Sequence, residues 1–414
     1  LTSFHSVYPL RVFMTHASLD HGLPNSLPHP EDHPMTPPLS RRRFTGLSLA
    51  ASATLLGPRL AGAAAIELIG TKVISPQAHY YHGWPTLTRT EKGELIVVWS
   101  GRREGHVCPF GTVEMMQSRD NGATWTFPRT VHDGPIDDRD AGILETARGT
   151  LIVTTFTSLA YAPMVAEGGS KANDPAWLAL HARITDEETR ESELGTWCFR
   201  STDGGLSFSG RIDTIVNSPH GPCQLADGRL LYLGKELWTD EKRIGAAESK
   251  DDGETWQWLS EIPTREGDTV ANYHELHAVQ CASGKIVAQI RDHNPEHKGE
   301  TLQTESSDGG KTWTVPHSIG VWGLPSHLLR LRDDRLLMTY GYRRKPFGNQ
   351  ARISGDEGAT WSEPFAISED GIGGDLGYPS TVELDDGSFV SVWYEKMPDS
   401  PMAQLRQAHW KIRA

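Results

Sequence analysis

A tyrosine and a glutamate brought together support one kind of nucleophilic chemistry, and this 414-residue chain carries such a pair in Tyr378 and Glu275. A phenol with a pKa of about 10 is a poor nucleophile at neutral pH unless a neighbouring carboxylate takes its proton. Glu275 lies in "YHELHAVQCASGKIVAQIRD", nine positions before Gly284, and Tyr378 lies in "GGDLGYPSTVELDDGSFV", nine positions before Gly387. Equal spacing from a turn glycine gives the two residues equivalent places in two similar elements. Their surroundings are charged, with Arg291 and Asp292 ending the first stretch and Glu395 following the second.

Those elements are hairpins, and they recur. "LTRTEKGELIVVWSG", "LETARGTLIVTTFTS", "QLADGRLLYLGKE", "AVQCASGKIVAQIRD", "LRLRDDRLLMTYGYR" and "VELDDGSFVSVWYEK" each read as a strand, a tight Gly- or Asp-containing turn and a second apolar strand. A second motif alternates with them: "SRDNGATW", "STDGGLSF", "SKDDGETW", "SSDGGKTW" and "SGDEGATW". Ser and Asp side chains there can bond the turn's own amides, Gly accepts the turn dihedrals, and the aromatic packs as the next strand begins. Two hairpins per unit, repeated six times about every 50 to 56 residues, predict an all-β, six-bladed β-propeller. One interval is enlarged by an insertion around 159–195, the one stretch with helical patterning.

Connectivity then assigns faces. Hairpin turns and the second motif share one face, so the starts of first strands and the ends of second strands gather on the other. That second face collects His82 and Trp84; Asp137, Asp138, Arg139 and Asp140; His274, Glu275, His277, Arg291 and Asp292; His327, Arg343 and Arg344; and Asp375, Tyr378 and Glu395. Such density of His, Arg, Asp, Glu and Tyr suits a polar, anion-tolerant cavity. Counting outward from the turns sets Tyr378 beside Glu395 and Glu275 opposite Asp292. Arg291 then falls one residue out of register unless a bulge re-aims it.

The repeated "SxDxGxTW" element resembles the Asp-box of the sialidase-like propellers, over residues 70 to 410. That resemblance implies a sialidase-type propeller in which Tyr378 is the nucleophile, Glu275 its base, Arg291 with Arg343 or Arg344 a carboxylate clamp, and Glu395 an acid orienting one arginine; Glu395 is also the alternative acceptor of the Tyr378 proton. Sialidases are the recognised exception to the two-carboxylate rule of glycosidases, and a neutral Tyr escapes the repulsion that a substrate carboxylate imposes on Asp or Glu. The chain departs from the family where sialidases carry Arg-Ile-Pro, having Gly83, Trp84 and Pro85. Arg102, Arg103 or Arg139 is left to replace the first arginine. The proton for the leaving oxygen is sought from Asp137, Asp138 or Asp140, with Asp138 the working choice, or from His274, His277 or His327. Trp84, His82, Arg139 and Asp375 complete the expected substrate contacts.

The expected activity is therefore exo-acting hydrolysis of a terminal sialic acid or other acidic sugar. A polysaccharide lyase acting on uronates and a non-catalytic carbohydrate-binding propeller are the rivals. A formal charge of -13 argues against a nucleic-acid partner. Spacing of the type HExxH is missing, so no metal or other cofactor is expected. Cys108, Cys198, Cys223 and Cys281 are too few for a disulfide scaffold, although Cys198 and Cys223 could pair.

"SRRRFTGLSLAASATLLGPRLAGAAA" has the order of a twin-arginine export signal, running from Ser40, Arg41 and Arg42 to small residues near Ala63. Residues 1–34 are read as an upstream extension, 35–63 as the signal beginning at Met35, and 64–414 as a single exported propeller domain. No apolar run after the signal is long enough to span a membrane. The oligomeric state is left open.

Overall fold

The computed structural model describes residues 66–184 and 186–413. The export motif and the upstream extension lie outside the described residues. Among those described, the strands form six antiparallel sheets of four.

The first and second strands of successive blades are Tyr81–Arg89 and Leu95–Arg103; Asp137–Glu145 and Leu151–Ser158; Cys223–Gln224 and Leu230–Lys235; Tyr273–Gln280 and Ile286–Asp292; Ser326–Arg330 and Leu336–Tyr342; Leu376–Glu383 and Phe389–Lys396. The last blade is completed from the other end of the domain, because Ile66–Val73 pairs with Ala403–Ile412. This pairing ties the two ends of the domain into one sheet, with Ile66–Val73 as its outer strand.

The six hairpins share one turn. Residues 93, 149, 228, 284, 334 and 387 each donate their amide to the carbonyl three positions back, at 2.8–3.0 Å, and each has positive φ. Glycine supplies that conformation five times; in the fifth blade Asp334 adopts it at φ 69°.

The five Asp-boxes are equally uniform. The Ser hydroxyl accepts the Gly amide at 2.7–2.9 Å, and the Asp carboxylate accepts from the Ser hydroxyl and from the Thr or Ser four residues on. Their tryptophans stitch neighbouring blades: the indole N–H of Trp125 reaches Gln407, that of Trp313 reaches Ser260 and that of Trp361 reaches Gln303, each in the preceding blade.

The insertion holds short helices at Ala162–Val165, Pro175–His181 and Glu187–Glu193, with Asp174 capping the second. Tyr161, Val165, Trp177 and Ile184 bury themselves with Cys108 and Ile136 beside the first two blades. All four cysteines are unpaired. No helix among the described residues is long and apolar enough to cross a membrane.

Candidate active site

One irregularity, repeated from blade to blade, builds the site. Trp84, Asp140, Glu275 and Tyr378 each stand nine residues before their turn glycine, and each has a positive φ, between 40° and 55°. At each the ladder slips, between Gly83 and Thr86, Arg139 and Gly142, His274 and Leu276, and Gly377 and Ser380. A β-bulge re-aims the side chain of the extra residue, and all four line one cavity of about 300 Å³. Left-handed backbone at a non-glycine costs about 1–3 kcal/mol and concentrates at functional sites. Four such residues converge here.

Within the cavity the Tyr378 hydroxyl donates to Glu275 Oε1. Arg291 Nη1 donates to Glu275 Oε2 at 2.5 Å and to the Tyr378 oxygen at 3.1 Å. Arg291 Nε donates to His293 Nε2 at 2.7 Å, and His293 stands 4.8 Å from the His274 ring. Burial works to raise the Glu275 carboxyl, but the Arg291 guanidinium and the bond from Tyr378 outweigh it and hold it at about 2. Burial and the Glu275 charge push the Tyr378 phenol well above its ordinary range. The resting proton therefore sits on the phenol and the charge on the carboxylate.

Asp140 shares this cavity but holds its proton far more tightly than Glu275 does. Burial, with the Glu275 charge adding to it against the pull of Arg139, lifts its carboxyl to about 7. Arg139 stacks over the Trp84 ring at 4.2 Å, and its Nε has no hydrogen-bond partner among the described residues. Arg343 lies 5.8 Å from the Tyr378 ring and donates its Nε to the Leu376 carbonyl at 3.0 Å. Lys235 Nζ donates to the Ala271 carbonyl at 2.6 Å, and burial draws it down to about 8. Arg139, Arg343 and Lys235 line the cavity without an ion-pair partner among the described residues. Such a lining attracts an anion.

Several sequence expectations are corrected. Glu275 does not face Asp292: Tyr273 pairs with Asp292 and His274 with Arg291. Cys281 bonds Lys285 across a three-residue loop, so the mirror axis passes through Ser283 rather than beside it, and the bulge shifts the count once more. Arg291 thus reaches Glu275, whereas Asp292 accepts from Arg265 at 3.2 Å. Similarly, Glu395 pairs with Leu376 and turns away from Tyr378, accepting from Trp393 Nε1 at 2.9 Å and from Arg406. The arginine it orients is outside the cavity.

Asp138 is buried and accepts the Gly134 amide at 2.8 Å away from the cavity; the bulge delivers Asp140 instead. Arg344 stacks over Trp322 at 5.3 Å and does not line the site. His82 is buried against Trp99, with Nε2 3.1 Å from the Gln77 carbonyl. His277 and His327 stack at 4.7 Å, with His220 5.1 Å from His327, and this buried trio adjoins Tyr378 without lining the cavity. Asp375 is likewise outside the lining but holds a lining residue, His106, with Nδ1 2.9 Å from its Oδ1.

Of the residues expected from the sequence, Trp84, Arg139, His274, Glu275, Arg291, Arg343 and Tyr378 come together in the lining of this cavity. His106, Asn217, Ser218 and Lys235 were missed. Of the three aspartates at 137–140, the nine-residue spacing before Gly149 selects Asp140. Of the three candidate replacements for the first arginine, Arg102 binds Glu114 at 3.2 Å and Arg103 is locked onto Asp137, so Arg139 alone faces the cavity.

A BNR repeat-like domain model matches residues 262–391. A sialidase of Bacteroides fragilis (strain YCH46) is 24% identical over 340 residues, which cover 75% of this chain and 59% of that protein. A sialidase of Micromonospora viridifaciens is 24% identical over 367 residues, covering 79% and 51%. The chain thus spans between half and three-fifths of the length of these curated relatives. Among solved structures, a protein of unknown function from Dyadobacter fermentans aligns with a TM-score of 0.67 at 24% identity, covering 84% of this chain and 99% of that one. The intramolecular trans-sialidase of Ruminococcus gnavus aligns at 0.59 with 13% identity, covering 83% and 96%. Repeats, topology and these likenesses agree: the chain is a BNR-repeat, six-bladed β-propeller related to the sialidase superfamily.

Proposed function

We propose that the protein is an exo-acting glycosidase that removes a terminal acidic sugar, sialic acid or a relative of it, through a tyrosine nucleophile. The observation that carries this reading is the convergence of Tyr378, Glu275 and Arg291 in one cavity. A cavity of about 300 Å³ accommodates a sugar unit. Similarity to two sialidases supports the substrate class.

In this reading Arg343 and Arg139 grip the sugar carboxylate, as planar forks suited to two-point binding. Arg139 takes the part of the absent first arginine, with the Trp84 ring fixing its guanidinium plane. Tyr378 attacks the anomeric carbon and its proton passes to Glu275. Because the proton favours the phenol at rest, transfer occurs only as the oxygen–carbon bond forms and positive charge develops on the sugar. Arg291, touching both oxygens, keeps the transferred charge stabilised throughout.

The test is a screen of acidic glycans and of nitrophenyl glycosides of N-acetylneuraminic and glucuronic acids, read by mass and ultraviolet absorbance. Release of a saturated monosaccharide, lost in Tyr378→Phe, is expected. An unsaturated product would replace hydrolysis with elimination, and binding without product would remove the enzyme reading altogether.

A further inference from the structure

We propose that His106, oriented by Asp375, is the acid/base of the reaction assigned above, an inference that rests on the glycosidase reading. The proton donor for the leaving oxygen was sought among aspartates of the second blade and histidines of the fourth and fifth. His106 comes from neither; it lies in the loop that follows Leu95–Arg103 in the first blade.

Its ring is held on one side. Nδ1 lies 2.9 Å from Asp375 Oδ1 and 2.8 Å from the Tyr81 hydroxyl, which itself donates to the same carboxylate oxygen at 2.8 Å. Asp375 stands just before the sixth blade, so the pair spans the seam between the first and last blades. Burial works to raise its carboxyl, but the bonds from His106 and Tyr81 outweigh that and hold it at about 2, ionised. With Nδ1 engaged by a carboxylate, Nε2 is the nitrogen left to a ligand, the division of roles that suits a proton-transferring imidazole. The ring meets the Trp84 edge at 5.1 Å and lines the cavity.

The loop is braced from behind. Arg103, bonded to Asp137, donates to the His106 carbonyl at 3.1 Å, and the Trp177 indole of the helical insertion donates to Glu104 at 2.9 Å. The insertion therefore supports the segment that carries His106.

Asp140 is the competing donor, and position separates the two. Both groups feel Arg139 and Arg103, but Asp140 is buried and also interacts with Glu275 and Arg291, on the nucleophile's side, whereas His106 is held by Asp375 and its side chain is 45% exposed. A leaving group departs away from the nucleophile and toward water, where a donor can also exchange its proton.

The steps balance. Tyr378 oxygen bonds the anomeric carbon and gives its proton to Glu275; the glycosidic bond breaks with its electron pair on the leaving oxygen, which takes the proton from His106 Nε2. Water then gives a proton to Nε2 as its oxygen bonds the anomeric carbon, and Tyr378 leaves and recovers its proton from Glu275.

The experiment compares His106→Ala with wild type on nitrophenyl and methyl glycosides of the sugar turned over. A general acid contributes roughly 100- to 10,000-fold. Loss of that size is expected on the methyl glycoside, with a wild-type burst of nitrophenol and steady turnover restored by azide as the glycosyl azide. Asp375→Asn should show a smaller loss with the same leaving-group selectivity. Equal losses on both substrates, or a leaving-group-selective loss in Asp140→Asn with none in His106→Ala, overturn the proposal. Wild type inactive on every glycoside overturns the glycosidase reading instead. An unchanged thermal midpoint in His106→Ala separates chemistry from folding.

Discussion

Glu275→Gln removes one charge from the centre of the site and should change stability and turnover in ways that acid can separate. Glu275 accepts from Tyr378 and from Arg291, and its side chain is only 15% exposed. Orphaning one partner of a buried ion pair costs about 3–5 kcal/mol. A carboxyl held at about 2 in the folded chain against an ordinary 4.5 corresponds to roughly 3 kcal/mol, so the two routes agree. Because the folded value is depressed, this stability is fully present above pH 4.5 and is lost as pH falls toward 2. The gap between wild type and Glu275→Gln, measured by urea unfolding, should therefore be a few kcal/mol at pH 7 and shrink as the solution is acidified, since protonating wild-type Glu275 leaves Arg291 equally unpaired. Turnover should fall roughly 100- to 10,000-fold at every pH, because an amide cannot accept the phenol's proton. A variant as stable as wild type at pH 7, or a gap that widens in acid, would refute the placement of the charge.

Arg139→Met should raise KM and lower kcat/KM about 10- to 100-fold, the loss of one charged hydrogen-bond arm, with no change in thermal midpoint, since Arg139 makes no ion pair among the described residues. Ser306→Ala removes the hydroxyl that accepts the Gly310 amide at 2.9 Å and donates to Asp308; about 1 kcal/mol of stability should go, while kcat/KM stays unchanged because this turn is on the face opposite the cavity. His277 is held neutral by burial, at about 4 against an ordinary 6.5. The unfolded chain takes up that proton first, so His277 contributes a fall of roughly 1–2 kcal/mol in stability between pH 6.5 and 5, beside the other buried histidines held down in the same way. His277→Gln, which can still accept the Leu328 amide, should make this acid limb shallower by that amount in thermal melts; an unchanged limb would assign the loss elsewhere.

The blades were readable because turn chemistry is local: Gly or Asp in a left-handed turn and Ser–Asp pairs bonding their own amides need only neighbours in sequence. The cavity was half readable for the same reason. Glu275 and Tyr378 were matched by their distance from a turn glycine, and the same ruler laid on Gly93 and Gly149 marks Trp84 and Asp140. What the ruler could not supply was direction. A regular strand alternates faces strictly, so counting placed Glu395 beside Tyr378 and Asp292 opposite Glu275. The bulges break that alternation where side chains must enter the cavity, and they do so with left-handed, non-glycine residues that have no sequence signature. His106 was hidden more deeply: Asp375 was placed on the cavity face, but its partner lies 269 residues away in the chain. They meet only because Ile66–Val73 completes the last blade and brings the first beside it. The reading therefore failed where the fold gives up regular pairing, or closes on itself, and those are the two places where the site is built.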